Sequence, residues 1–321
     1  KRQPRHIMKL YRSRLIPGLI TVLLAACSGP AQQSPQAETA AAASSIAPKE
    51  APIIDYGERF LPTIARNGMV VGPEQLDSEV GLEILKQGGN AVDAAVATGF
   101  ALAVTYPRAG NLAGGGFMLI HLADDNRQTL VDYRERAPAA AGRDMYLDAQ
   151  GELDRQREFF SHQSAGVPGT VAGMLYALET YGSMSRAEVL APAIALARDG
   201  IPVSFALFLE VGASAERLRK NPAARDIVFR DDGGQYDVGE VWRQPDLAWT
   251  LEQISRHGNA GFYEGDVAGR ITAEMDAGGG LVTRADLADY AAIERPPVRG
   301  TYKGFDIVAA PPPSSGGVHL V

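Results

Sequence analysis

Between Asn90 and Thr105 the chain reads NAVDAAVATGFALAVT. Asn90 is a strong helix N-cap residue, and Asp93 falls in the first turn of the helix that it would open, Ala91 to Val104. That helix is almost entirely Ala, Val, Leu, Thr and Gly and carries no polar face at the helical period. Such a helix must be buried. Its small side chains let neighbours approach closely, so the stretch predicts a layer pressed between other layers.

The surroundings fit a mixed α/β protein. Leu76 to Lys86 is amphipathic and ends at Gly88-Gly89, a helix C-terminal signal. After the buried helix come the glycines of AGNLAGGGFMLI, residues 109–120. A phosphate-binding glycine loop follows a strand and opens a helix. Here the order is reversed: a helix precedes the loop and the apolar run Phe117 to Leu122 follows it as a strand. No Gly-Lys-Ser/Thr follows either. The polar turn Asp124-Asp125-Asn126 and the run Gln128–Tyr133 complete a predicted β-hairpin. Further helices are predicted at Thr170–Tyr181, from the capping box Ser185–Glu188 to Asp199, and at Pro245–Arg256, Val267–Asp276 and Arg284–Tyr290. A strand is predicted at Phe305–Ala309.

The N-terminal segment is of another kind. Lys1, Arg2, Arg5, Lys9, Arg12 and Arg14 precede the apolar run Leu15–Leu24 and then Leu24-Ala25-Ala26-Cys27. The run is short for a membrane span and has the form of a signal-peptide core. The tetrapeptide resembles a bacterial lipobox, which makes Cys27 the expected lipidation site and residues 1–27 a lipoprotein signal peptide. Residues 28–58, rich in Ala, Ser, Gln and Pro, read as a flexible tether. The folded body is then 59–321. The expected location is the bacterial cell envelope, facing the periplasm. Ser28 is not an acidic retention signal, which favours the outer membrane over the inner. With the basic leader set aside, the body is more acidic than the net charge of −7 suggests, which argues against nucleic-acid partners. A single cysteine excludes an intramolecular disulfide and a thiolate cluster.

The five histidines show no metal-ligand spacing, and the chain has no H-E-x-x-H, G-x-S-x-G or S-x-x-K motif. No metal or cofactor is expected. His162, next to Ser161, is a possible general base, although a lone histidine is more often structural. In VDYRERAP, residues 131–138, Arg134 lies just past a strand end, where loops present binding groups. Its guanidinium can grip a carboxylate with two parallel bonds. From the residues alone, an ion pair with Asp132 or Glu135 is the simpler account of it.

The stretches GGNAVDAAVATGFALAVTYPRAGNLAGGGFMLI, VDYRERAP, VPGTVAGM, LAPAIALARDG, FYEGDVA, GGGLVTRADLADY and PPPSSGG occur in this order. Together they resemble the gamma-glutamyltranspeptidases, from about Asn67 to Val321. Ala113 departs from the pattern by standing where the family usually has the first of four glycines. The resemblance implies a four-layer αββα N-terminal-nucleophile hydrolase fold, incomplete in this chain. It implies a precursor that cuts itself into a large and a small subunit, the small subunit then being this chain's partner. The new N-terminal threonine attacks the γ-glutamyl amide of glutathione and related compounds. The acyl group passes to water or to an amino-acid or peptide acceptor. The resemblance gives Arg134 the substrate α-carboxylate, and it places the threonine downstream of PPPSSGG, so that no catalytic residue is expected here. It also implies that the glycine loop is architectural. The alternatives are a cephalosporin acylase or other γ-glutamyl amidase of the same superfamily, and a non-catalytic, membrane-tethered binding protein.

Overall fold

The structure is a computed structural model that describes residues 63–321. The readings of a signal peptide, of lipidation at Cys27 and of the tether 28–58 concern residues outside that range. In chain order the elements are α1 Gln75–Lys86, α2 Ala91–Thr105, β1 Phe117–Leu122, β2 Arg127–Asp132, α3 Arg155–Phe160, α4 Thr170–Tyr181 and α5 Arg186–Asp199. There follow β3 Ile201–Pro202, α6 Phe205–Leu218, α7 Pro222–Val228, β4 Val241–Trp242, α8 Pro245–His257 and α9 Ala260–Tyr263. The last are α10 Gly265–Gly278, α11 Arg284–Ala288, β5 Ile293–Arg295, β6 Val298–Tyr302, β7 Phe305–Ala309 and α12 Ser315–Leu320.

The helix without a polar face lies in the centre. Val96, Ala97, Phe100, Ala101 and Val104 of α2 are fully buried. The helix packs against α1, α4 and α5. Where α1 crosses it, a Cβ on Gly81 would lie 2.3 Å from Thr98 Oγ1, so glycine sets the closeness of that crossing. The N-terminus of α2 is held as its first residues predict. The Asn90 side chain accepts the amides of Val92 and Asp93, and Asp93 accepts the amide of Asn90 at 2.7 Å. Asp93 also reaches across to the α4–α5 turn. There it accepts the Ser183 amide and hydroxyl and the Met184 amide. One buried carboxylate thus joins the starts of two helical segments that lie ninety residues apart.

The predicted hairpin is present, with Phe117 opposite Asp132 and Leu122 opposite Arg127. Its turn depends on Asn126, whose φ of 52° suits asparagine, and on Asp125, which accepts the Arg127 amide. The second strand starts and ends one residue earlier than predicted. Tyr133 nonetheless continues the ladder, exchanging backbone hydrogen bonds with Gly116. β5 adds antiparallel to β2, which gives the sheet order β1-β2-β5. Met118, Ile120 and Val131 turn one face of this sheet into the core shared with α2 and α4. The other face carries Leu119 and Ile293 and is partly open to solvent. Helices layered on a sheet therefore bear out the mixed α/β reading.

Some elements differ from the sequence reading. Helix α11 stops at Ala288 rather than Tyr290, because the Tyr290 amide turns back to the Leu287 carbonyl and ends the helical ladder. Helix α6 has no counterpart in the sequence analysis. Its start, Phe-Ala-Leu-Phe-Leu, is a continuous apolar run with neither helical nor strand period, and only Leu207 is buried.

Candidate functional site

The glycine loop opens no helix and leads into β1; its Gly114 carbonyl caps α4, which begins at Thr170. The Gly114 carbonyl accepts the amides of Gly169, at 2.7 Å, and Thr170, at 3.0 Å. Gly169 is the N-cap of α4 and has no side chain to serve the unpaired amides of the first turn. The loop supplies the missing acceptor. Gly115 lies against the main chain of the Arg134 segment: a Cβ there would come 2.6 Å from the Tyr133 carbonyl oxygen and 2.9 Å from the Arg134 Cα. Ala113 fits because its backbone is not left-handed, the only non-glycine residues at positive φ among the described ones being Asn126 and Lys303. The architectural reading of the glycines holds.

Arg134 sits on the loop between β2 and the Arg136–Val167 bridge and is exposed. Both of its main-chain polar groups are held by side chains. Its amide donates to Asp132 Oδ1 at 3.0 Å, and its carbonyl accepts the Tyr290 hydroxyl at 2.8 Å. Its own guanidinium makes no hydrogen bond or ion pair among the described residues. The local pairing with Asp132 that composition suggests does not form. Asp132 is nearly buried, and its second oxygen accepts a hydrogen bond from Arg295 Nε at 2.6 Å. Arg136, two residues on, is committed differently: its guanidinium lies 5.0 Å from the Tyr290 ring centroid and donates to the Ala291 carbonyl. Of the two arginines, Arg134 is the one left available.

Tyr290 belongs to an aromatic group that ties this loop to the start of α4. Its ring stacks on Tyr263 at 5.8 Å, nearly parallel. The Tyr263 hydroxyl donates to the Pro168 carbonyl at 3.0 Å and accepts the Ala172 amide at 3.2 Å. Burial pushes the Tyr290 hydroxyl up to about 12, opposed by the neighbouring Arg136 charge. Tyr290 is therefore a hydrogen-bond donor throughout the neutral range. Gly169 and Gly173 each face a tyrosine side chain. A Cβ on Gly169 would meet the Tyr290 hydroxyl, and one on Gly173 would meet Tyr133.

Other candidates fall away. His162 Nε2 lies 2.9 Å from Glu274, and its ring packs against Gly278. The Ser161 hydroxyl donates to the Arg157 carbonyl, so the two neighbours form no nucleophile–base pair. No group of three or more His, Cys, Asp or Glu side chains among the described residues could hold a metal ion. Cys27 is outside the described residues. Arg134 is legible in the sequence, but its supports are not. Asp132, two residues before it, has the spacing of an aspartate turn and could have been found. Tyr290 and Arg295 are more than 150 residues away and carry no local signal.

A family model described as gamma-glutamyltranspeptidase matches residues 78–321. The glutathione hydrolase proenzyme of Escherichia coli strain K12 is 46% identical over 281 residues, which are 87% of this chain and 48% of that protein. The proenzyme of the same name from Pseudomonas sp. strain A14 is 48% identical over 257 residues, 80% of this chain and 44% of that protein. The chain thus spans about half the length of the curated relatives it matches. Among solved structures, the Helicobacter pylori gamma-glutamyltranspeptidase superposes with a TM-score of 0.79 at 42% identity, covering 81% of this chain and 74% of that one. The fold is of the N-terminal-nucleophile hydrolase class that the resemblance implies.

Proposed function

The chain belongs to the gamma-glutamyltranspeptidase family, and from that premise we propose that the protein cleaves the γ-glutamyl amide of glutathione and related compounds. The group passes through an acyl-enzyme to water or to an amine acceptor. In this proposal the protein is made as a precursor and cleaved into two subunits, in keeping with the word proenzyme in its relatives' names. The nucleophile is a threonine outside residues 1–321. The observation that carries the reading is Arg134: an exposed guanidinium with no partner among the described residues, on a main chain held at both its amide and its carbonyl. That arrangement suits two-pronged capture of the substrate α-carboxylate.

Arg134→Lys keeps the charge and loses the fork. In the full-length protein kcat/KM for a γ-glutamyl anilide should fall roughly ten- to hundredfold, since a charge-assisted hydrogen bond is worth about 1.5–3 kcal/mol. Self-cleavage should proceed normally, because it does not use the substrate carboxylate. Unchanged kcat/KM in normally cleaved Arg134→Lys protein would remove Arg134 from the site.

We also propose that Cys27 is lipidated and tethers the body to the periplasmic face of the outer membrane. The basic leader, the short apolar core and Leu-Ala-Ala-Cys support this reading. More than one acyl chain gives stable anchoring where a single chain is marginal. Expressed in a bacterial host with a labelled fatty acid, the wild type should take up label and Cys27→Ser should not. Equal labelling would rule the anchor out.

A further inference from the structure

We propose that Tyr290 and the Asp132–Arg295 pair are positioning residues for substrate recognition, clamping the main chain of Arg134 so that its guanidinium is presented at a fixed angle. This inference rests on the assignment of the α-carboxylate to Arg134. A loop residue usually has its amide and carbonyl in water or in a turn. In Arg134 side chains hold both: Asp132 takes the amide in an aspartate turn, and the Tyr290 hydroxyl binds the carbonyl from a distant segment. Those two bonds act on the peptide planes either side of the Arg134 Cα and so restrain the direction in which its side chain leaves the chain.

Each support is itself held. Asp132 is oriented by Arg295 Nε at 2.6 Å. The Tyr290 ring is stacked on Tyr263 and overlain by the Arg136 guanidinium. Gly169 leaves room for the Tyr290 hydroxyl, since a Cβ there would collide with it. None of these groups needs to touch substrate. A long, flexible side chain left on a free loop would lose more orientational freedom on binding than one whose base is fixed.

The test separates positioning from folding by asking about the carboxylate alone. A γ-glutamyl anilide carries the α-carboxylate, and the 4-aminobutanoyl anilide is the same molecule without it. In the full-length, self-cleaved protein, Tyr290→Phe removes one hydroxyl and keeps the ring. The preference for the carboxylate-bearing substrate, as a ratio of kcat/KM values, should fall about fivefold, the worth of one hydrogen bond. The change should appear mainly in KM. In an Arg134→Lys background the same substitution should lower the preference no further, because the two act through one group. If Tyr290→Phe yields no self-cleaved protein, Arg295→Gln tests the other half of the clamp with the same two substrates, and the same loss is expected. Equal losses on both substrates, or an unchanged preference, would overturn the proposal. If Arg134→Lys itself leaves the preference intact, it is the assignment of Arg134 that fails.

Discussion

Asp93→Ala is expected to destabilise the folded protein by roughly 3–5 kcal/mol, because it strands several buried donors at once. The carboxylate of Asp93 has no exposed surface and accepts the amides of Asn90, Ser183 and Met184 and the hydroxyl of Ser183. Alanine cannot accept from any of them, and water has poor access. For a body of this size the melting temperature should fall by about 10 °C.

The effect also carries a pH signature. Burial alone would raise the Asp93 pKa, but the Ser183 hydroxyl and the amides of Met184, Asn90 and Ser183 outweigh it and hold the group below the usual carboxylate range. A folded-state pKa below the unfolded one means that the unfolded chain binds the proton more readily. The stabilisation is therefore complete above the ordinary aspartate value and is lost as pH falls through the depressed folded value. Urea melts at pH 7 and at about pH 3 should show the gap between wild type and Asp93→Ala narrowing with acid. A gap that stays constant would mean that Asp93 acts through packing rather than through charge.

Gly173→Ala should cost about 3 kcal/mol or more, at the upper end for overpacking. Alanine is the better helix former by about 1 kcal/mol, so propensity alone predicts the opposite sign. Packing decides. The Cβ would lie 2.1 Å from Tyr133 Cγ and 2.2 Å from its Cβ, near the root of a buried side chain that cannot swing away. Either α4 lifts from the sheet or Tyr133 moves, and Tyr133 adjoins Arg134. Substrate affinity should therefore fall together with stability. Pairing Gly173→Ala with Tyr133→Ala, which removes Cγ and the ring, should give less than the sum of the two losses, a coupling that a double-mutant cycle measures. A Gly173→Ala protein that melts with the wild type would show that α4 and β2 do not pack this closely.

What was legible in the sequence was local. Asn90 and Asp93 announce the start of α2, Ser185 and Glu188 that of α5, and the absence of a polar face announces that α2 is buried. Phe117–Leu122 and Phe305–Ala309 are read to the residue, because apolar runs between turn residues leave little choice of register. Each signal is carried by residues within a turn or two of one another. Arg134 was found as a candidate because its motif is contiguous, and the order of many such motifs pointed to the family.

Tertiary structure decided the rest, through contacts between residues far apart in the chain. Asp132 stands two residues from Arg134 and pairs with Arg295 instead, because β5 comes to lie beside β2. The Tyr290 hydroxyl reaches the Arg134 carbonyl across 156 positions. The Gly114 carbonyl serves the start of α4. Glycines 115, 169 and 173 matter for what lies opposite them, not for their own backbone angles. A motif can say that an arginine stands on a loop. Only the packing of three separate segments says that its main chain is held and its guanidinium is left free, because hydrogen bonds between distant residues depend on how elements meet in space and leave no periodic trace in the chain.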